Sequence, residues 1–327
     1  MKAVFYARRG PARDVLEYGE VPTPQPFAGQ VRVRLHASGV NPSDWKSRSG
    51  ATISAPLPAP VIPHSDGAGV IDAVGPGVDA ARIGERVWLW NAQWQRAHGT
   101  AAQYIALPSA QAVVLPANTD FAAGACLGIP VMTALQAIRL SGAHAGSTVL
   151  VHGGAGSVSH YVIQLARARG IRVLTTVSSD VKAKHALAAG AEAAINYRTD
   201  SVGDRVRDLT AGRGVDAVID VNYSANAALL PDVIRPHGRV VVYGSNEPQC
   251  NIPGLWLMRN SVTVASFLVY DLDTTDRAAV LDGIGDALKA GRLSHTIAAT
   301  LPLDATAQAH EMVEQGAVIG NVVLQIE

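Results

Sequence analysis

Gly153, Gly154 and Gly156 lie between a β-branched apolar run, Thr148 to Val151, and a set of apolar residues at helical spacing, Val158, Tyr161, Val162 and Leu165. Glycine allows a tight turn in which backbone lies directly against a ligand. A helix starting beside such a turn aims its unpaired N–H groups and positive dipole end at that ligand. The chemistry this suits is the holding of a pyrophosphate, by Gly154, Ala155, Gly156, Ser157 and Val158. Against the dinucleotide fingerprint G-x-G-x-x-G, the last position here is Ser159. In NAD sites the second strand usually ends in a carboxylate that binds the ribose hydroxyls. Here that strand, IRVLTTV, runs into Ser178 and Ser179. Small hydroxyls leave room for a 2′-phosphate, and Lys182, one helical turn on, supplies positive charge. The combination favours NADPH over NADH. Asp180 either reaches a ribose or caps the following helix. Tyr197, ending AINY, covers the adenine or bonds the phosphate. Tyr243, Gly244 and Ser245 end the buried run VVVYGS and are placed to meet the nicotinamide half. Asn222, after VDAVIDV, has the same geometric claim.

These residues need a sheet to bring them together. From about Ser147, candidate strands begin near Ser147, Ile171, Ala193, Gly214, Gly238 and Ser261. Helical segments lie between several of them: Asp180 to Ala189, stopped by Gly190; Ser201 to Thr210; and Ala225 to Ile234, ending before Pro236. Such alternation predicts an α/β fold with a Rossmann doubly wound parallel sheet. The first hundred residues read differently. Val31 to Ala37 alternates apolar with charged residues, as a half-exposed strand does. Val70 to Val74 and Arg86 to Leu89 are short strands among Gly-Pro turns, and Pro56 to Pro63 is a loop. This predicts a partly closed β-barrel-like domain. The helix Asp276 to Ala290 and the C-terminal VVLQIE are expected to return to it. The expected division is residues 1–125 with 268–327 as the barrel-like domain, and 126–267 as the cofactor domain.

Bulk properties narrow the function. The chain has 327 residues, with 27 basic and 27 acidic side chains and no long run of one sign. Nothing suggests an electrostatic surface for nucleic acid or anionic membrane. The opening MKAVFYARRG lacks a signal-peptide core. The uncharged run Phe121 to Ile138 contains Pro130 and Gln136 and reads as buried loop and helix. Two distant cysteines, Cys126 and Cys250, read as buried free thiols in a reducing cytosol or else as a single disulfide, and cannot form a four-cysteine zinc site.

Several strings occur together and in order: KAVFYARRGPARDVLEYGEVPTP, RVRLHASGVNPSDWKSRSG, PVIPHSDGAGVIDAVGPGVDAARIGERV, LGIPVMTAL, VLVHGGAG and GRVVVYGS. On these the chain resembles the medium-chain dehydrogenase/reductase superfamily, in its zinc-free quinone oxidoreductase branch that includes ζ-crystallin. The resemblance implies that the first domain is GroES-like. Zinc alcohol dehydrogenases carry a ligating cysteine where Asn41 follows Gly39-Val40. Their Gly-His-Glu motif corresponds to His64-Ser65-Asp66, with Ser65 in the histidine's place. His64 is a stray ligand or an ordinary loop histidine. No metal is therefore expected. A tyrosine of the quinone reductases is replaced by Lys46, beside Trp45, and Ser157 and Ser159 replace two turn glycines.

The resemblance implies a nicotinamide lying against Asn41 and Thr133, with Trp45, Phe267, Leu268 and Asn321 as further cofactor contacts. Asn41 bonds the cofactor or a substrate oxygen, or else stabilises the turn before Pro42. Thr133 has the alternative of capping a helix that starts near Ala134. Lys46 is a candidate proton donor or an exposed lysine. Trp45 and Trp94 are aromatic walls or ordinary packing. The implied reaction is NADPH-dependent hydride transfer to a quinone or similar electron-poor acceptor, oriented and dried by the protein. The alternatives are an enoyl or 2-alkenal reductase and, more distantly, a non-enzymatic protein binding NADPH or RNA. Family members often dimerise through an edge strand, and SVTVASF, Ser261 to Phe267, is apolar enough to do so. A cytoplasmic homodimer is expected.

Overall fold

In a computed structural model, which describes residues 1–51 and 60–327, the chain forms two compact units. One comprises Met1–Ile129 with His295–Glu327, and the other Pro130–Ser294. The expected loop Pro56 to Pro63 lies outside the described residues as far as residue 59.

The alternation in VRVRLHA does what a period of two requires. In the strand Gln30–Val40, Val31, Val33 and Leu35 turn inward to join Ile71, Val87, Leu89, Ile105 and Leu107, all buried. Arg32 alternates with them and pairs across the sheet with Asp72 at 3.0 Å. The seven-stranded sheet runs Ile297–Pro302, Asn321–Gln325, Gln30–Val40, Asp66–Val74, Arg86–Leu89, Ala112–Val114, and Tyr104–Pro108 also pairs with Gln30–Val40. Among the described residues of this sheet, only the pairing of Ile297–Pro302 with Asn321–Gln325 is parallel. One register matters most: Gly39 opposes Asp66, so the chain leaves the strand at Asn41 close to where the next strand begins. A Cβ on Gly39 would lie 2.1 Å from the Ala125 carbonyl oxygen, so only glycine fits.

The second unit is a wholly parallel six-stranded sheet in the order Ala193–Asn196, Arg172–Val177, Thr148–Val151, Val215–Asp220, Ile234–Val242, Thr263–Ser266. This is the doubly wound order, with its topological switch beside Thr148–Val151. The apolar face read from Val158, Tyr161, Val162 and Leu165 forms the helix Ser157–Arg167. The segment Ala225 to Ile234 is not one helix. It breaks into Tyr223–Asn226 and Leu230–Val233, and the strand starts at Ile234 with Pro236 inside it.

The division of the chain also differs from expectation. The boundary falls after Ser294, not at 268, because the helix Thr274–Lys289 belongs to the second unit. Gln136 and Arg139, on the helix Met132–Ser141, both donate to the carboxylate of Asp276. Gly283 packs against Leu135, where a Cβ would come within 3.3 Å. Phe121 to Ile138 resolves into Phe121–Gly124, a wide turn Leu127–Val131 around Pro130, and the start of Met132–Ser141. Among the described residues no helix is long and apolar enough to cross a membrane.

Candidate active site

In the second unit the candidate residues share one sheet edge. Gly153, Ser178, Tyr197, Asn222, Tyr243 and Phe267 each follow within two residues the C-terminal end of a parallel strand. In open α/β sheets this edge is where ligands bind. Gly153 has φ of +72°, and a Cβ on Gly154 would lie 2.3 Å from Thr175 Oγ1. The turn is therefore built for glycine, and it is tied down by the Gly153 N–H, which donates to Thr176 Oγ1 at 3.2 Å. Gly156 is exposed at the N-cap of Ser157–Arg167, with Ser157 and Val158 partly exposed in its first turn and Ala155 buried. The first-turn N–H groups of a helix lack intrahelical acceptors, so a pyrophosphate fits this cradle.

Ser159, in the third glycine's place, turns away from the cradle. It is buried and donates to the His152 carbonyl at 2.9 Å, with Tyr243 Oη at 3.3 Å. Burial, with Asp220 nearby, pushes the Tyr243 phenol up, so it stays protonated. Below the turn His152 lies 3.1 Å from Thr176 Oγ1, and burial holds its imidazole neutral against the opposing pull of Asp220.

Ser178 and Ser179 are half-buried and lead into the helix Asp180–Ala189. Ser179 is the cap, accepting from the Lys182 N–H, and exposed Asp180 is the first helical residue and not the cap. Tyr197 is 53% exposed, enough to cover a flat ring. Asn222 Oδ1 is spent on Ser224 Oγ and the Asn246 N–H, and Ser245 donates to the Glu247 carbonyl. Those two side chains hold their own loops. Gly244 is required, since a Cβ would lie 2.3 Å from the Val221 carbonyl oxygen. Leu268 is exposed beyond the last strand, and Phe267 partly so. Thr133 is buried in the second position of Met132–Ser141, whose cap is Val131, so the alternative of Thr133 as a cap does not hold.

The first unit places Asn41 at the N-cap of the helix Pro42–Ser49. Asp44 returns its carboxylate to the Asn41 N–H at 2.7 Å, closing a capping box. That bond holds the turn before Pro42 through the Asn41 backbone. Its side chain also has a partner: Asn41 Nδ2 donates to Asp66 Oδ2 at 2.8 Å. Asp66 is fully buried and accepts the Ile129 N–H on both oxygens at 2.9 Å. Gly128 makes room for it, because a Cβ there would lie 2.0 Å from Asp66 Oδ1. Burial raises the Asp66 carboxyl to about 7, opposed by the bonds from Ile129 and Asn41. Asp44 is also pushed well up by burial. Lys46 is half-buried and not exposed, its Nζ lies 5.8 Å from the Trp45 ring centre, and burial lowers its pKa. Trp94 is half-buried. Asn321 is buried, and its amide donates to the Thr296 carbonyl at 3.1 Å.

His64 belongs to a chain of hydrogen bonds. Its Nε2 lies 2.9 Å from His310 Nε2, its Nδ1 2.9 Å from Ser38 Oγ, and Ser38 Oγ 2.7 Å from Thr100 Oγ1. Thr100 donates to the Asp66 carbonyl at 2.6 Å. That last bond uses the Thr100 proton, so Ser38 must donate to Thr100, His64 Nδ1–H to Ser38, and His310 Nε2–H to His64. The remaining His310 Nδ1 has no partner among the described residues, as suits a bare lone pair. Burial holds both imidazoles neutral, His64 down to about 3. Among the described residues no group of three or more His, Cys, Asp or Glu could hold a metal ion. Reading from sequence missed Asp66, Asp44 and Gly128. A carboxylate opening a strand of small residues, DGAGVIDAV, was the available sign of a buried acid.

The alcohol dehydrogenase GroES-like domain model matches residues 28–117, and the zinc-binding dehydrogenase model matches 157–284. With the two-unit architecture these matches define the medium-chain dehydrogenase/reductase fold. A rat (Rattus norvegicus) quinone oxidoreductase is 32% identical over 308 residues, 93% of this chain and 92% of the relative. A Burkholderia 2-haloacrylate reductase is 31% identical, covering 99% and 98%. Among solved structures, an NAD-dependent alcohol dehydrogenase aligns with TM-score 0.90 at 30% identity over 100% of both chains. A mycobacterial protein complexed with NADPH aligns with TM-score 0.87 at 28% identity, covering 99% and 100%. The chain belongs to the zinc-free quinone oxidoreductase branch of the medium-chain dehydrogenase/reductase superfamily.

Proposed function

We propose that the protein is an NADPH-dependent reductase that delivers a hydride to a quinone or a similar electron-poor acceptor without a metal. The glycine cradle carries the reading: Gly153, Gly154 and the first turn of Ser157–Arg167 fit a pyrophosphate. Ser178, Ser179 and Lys182 favour the 2′-phosphate, because no carboxylate stands at the two positions that end the strand. The mycobacterial relative solved with NADPH supports this choice, whereas the NAD-dependent relative supports the other. NADPH, when bound, supplies the hydride. Asn41 orients the nicotinamide or an acceptor oxygen, Thr133 is assigned to the same ring, and Lys46, with its lowered pKa, is the candidate proton donor. Tyr197 covers the adenine; Trp45, Asn222, Tyr243, Phe267, Leu268 and Asn321 remain assigned contacts. A quinone product anion is delocalised, so the acceptor needs less polarisation than a ketone would.

The test is NADPH oxidation with a benzoquinone, an enone and an enoyl thioester side by side, with NADH as control. Faster turnover of the quinone supports the reading. Faster turnover of the enone selects the alkenal reductase, which the 2-haloacrylate reductase relative makes the specific rival. Cofactor binding without turnover of any acceptor would leave a binding protein. The two free cysteines, one buried and one exposed, support a reducing cytoplasm. We assign a homodimer formed through the edge strand Thr263–Ser266, where Val264 is exposed. Light scattering should give twice the chain mass, and Val264→Lys should halve it.

A further inference from the structure

The buried carboxylate of Asp66 lies outside every role assigned above, although it is the direct partner of Asn41. It touches no solvent, and its two oxygens take the Ile129 N–H and one Asn41 Nδ2–H. Gly128 is shaped to admit it, and the Ser38–Thr100 chain grips its own carbonyl. An amide alone is free to turn over, exchanging Nδ2 and Oδ1. A carboxylate accepts only, so it selects one of the two orientations.

We infer that Asp66 is a positioning residue of the proposed reductase: its carboxylate fixes the Asn41 amide with Nδ2 inward, and protonation of Asp66 releases that amide to turn over. The inference rests on the reductase reading for its catalytic consequence. Adding a proton gives Asp66 an O–H that needs an acceptor, and a turned Asn41 amide supplies one in Oδ1. The other titratable groups turned toward Asp66 are Asp44, on the helix Pro42–Ser49, and Cys126, just beyond Phe121–Gly124. Burial pushes the Cys126 thiol up, so it stays neutral. Asp44 is driven toward its own neutral form and holds the Asn41 backbone rather than its amide. Because burial raises Asp66 to about 7, the release falls within the working range of an enzyme at neutral pH.

The test has two arms. In ¹H–¹⁵N spectra of the protein without NADPH, the Asn41 side-chain amide, identified by its loss in Asn41→Ala, should shift with a midpoint near pH 7. The shift should vanish in Asp66→Asn. In steady-state turnover, kcat/KM of the unmodified protein should be about tenfold lower at pH 6 than at pH 8, and Asp66→Asn should flatten that difference while lowering the plateau. A structural role would lower the plateau and leave the pH limb. An amide that does not titrate overturns the inference, and so does a pH limb that survives Asp66→Asn, which would belong to Asp44 or Lys46. An amide that titrates in a protein with no NADPH turnover would instead sink the reductase reading and uphold the Asp66–Asn41 device. The spectra of the unmodified protein decide the first point even if Asp66→Asn fails to fold.

Discussion

Asp66→Asn should change how stability depends on pH, and the size of the change follows from burial. The folded carboxyl is raised to about 7 from an ordinary 3.8. Between those values the folded protein keeps a proton that the unfolded chain has lost. Stability from this group is therefore full at low pH and falls as pH rises toward 7, by about 4 kcal/mol in all. His64 works the other way. Its imidazole is lowered to about 3 from 6.5, so its contribution is full above 6.5 and is lost as pH falls, by about 5 kcal/mol over the whole range. Between about 4 and 6.5 the two slopes oppose each other, and buried His310 and Asp44 add slopes of their own, so the unmodified protein alone does not isolate Asp66. The difference between it and Asp66→Asn removes the histidine slope. Asparagine keeps the shape and an acceptor for Ile129, so its own effect is a constant offset. From pH 5 to pH 8 the difference should move by about 3 kcal/mol in favour of the variant. Urea unfolding followed by tryptophan fluorescence measures this, because four of the five tryptophans lie in the first unit. Curves that stay parallel within about 0.5 kcal/mol would show that Asp66 ionises like an exposed carboxylate, and the burial argument would fail.

Three further outcomes test the remaining contacts. Lys182→Ala should weaken NADPH binding by roughly tenfold or more and leave NADH nearly unchanged, as loss of one charge-assisted phosphate contact predicts; equal losses in fluorescence titrations would remove the 2′-phosphate from this site. Gly154→Ala puts a methyl against Thr175 Oγ1 and should shift the turn, weakening both dinucleotides together without changing the ratio between them. Gly128→Ala drives a methyl into Asp66 Oδ1 and should cost about 1–3 kcal/mol in urea unfolding, along with most of the turnover.

What could be read from the sequence was local, and what could not was non-local. The glycine turn, the following helix and the serine pair at Ser178 are each written within a few consecutive residues, and strands at regular spacing already imply a parallel sheet. The strand at Gln30–Val40 was legible for the same reason, its alternation being visible in seven letters. The sequence pattern places the helix Asp276 to Ala290 with the first unit, because the strand rhythm stops at Phe267. Its true place depends on Asp276 meeting Gln136 and Arg139, a pairing across more than a hundred residues. Asp66 was legible only as a departure from a metal motif. That it lies inward, against Asn41, follows from the register of Gly39 with Asp66, which no local pattern encodes.

The same register explains why losing zinc need not dismantle this corner of the fold. By the resemblance drawn from sequence, Asn41 stands where the zinc enzymes have a thiolate, and Asp66 where they have glutamate. A cysteine and a carboxylate left side by side without a cation would be a neutral thiol, a weak donor, against a poorly satisfied buried carboxylate. Asparagine supplies a stronger donor there, and that donor satisfies the carboxylate. Asp66 remains costly, since burial still raises its pKa, but the cost is now that of one hydrogen-bonded carboxylate. A neutral amide cannot polarise a carbonyl as a metal does. The pair therefore preserves geometry and gives up Lewis acidity, so the proposed reaction calls for an acceptor that stabilises its own negative charge.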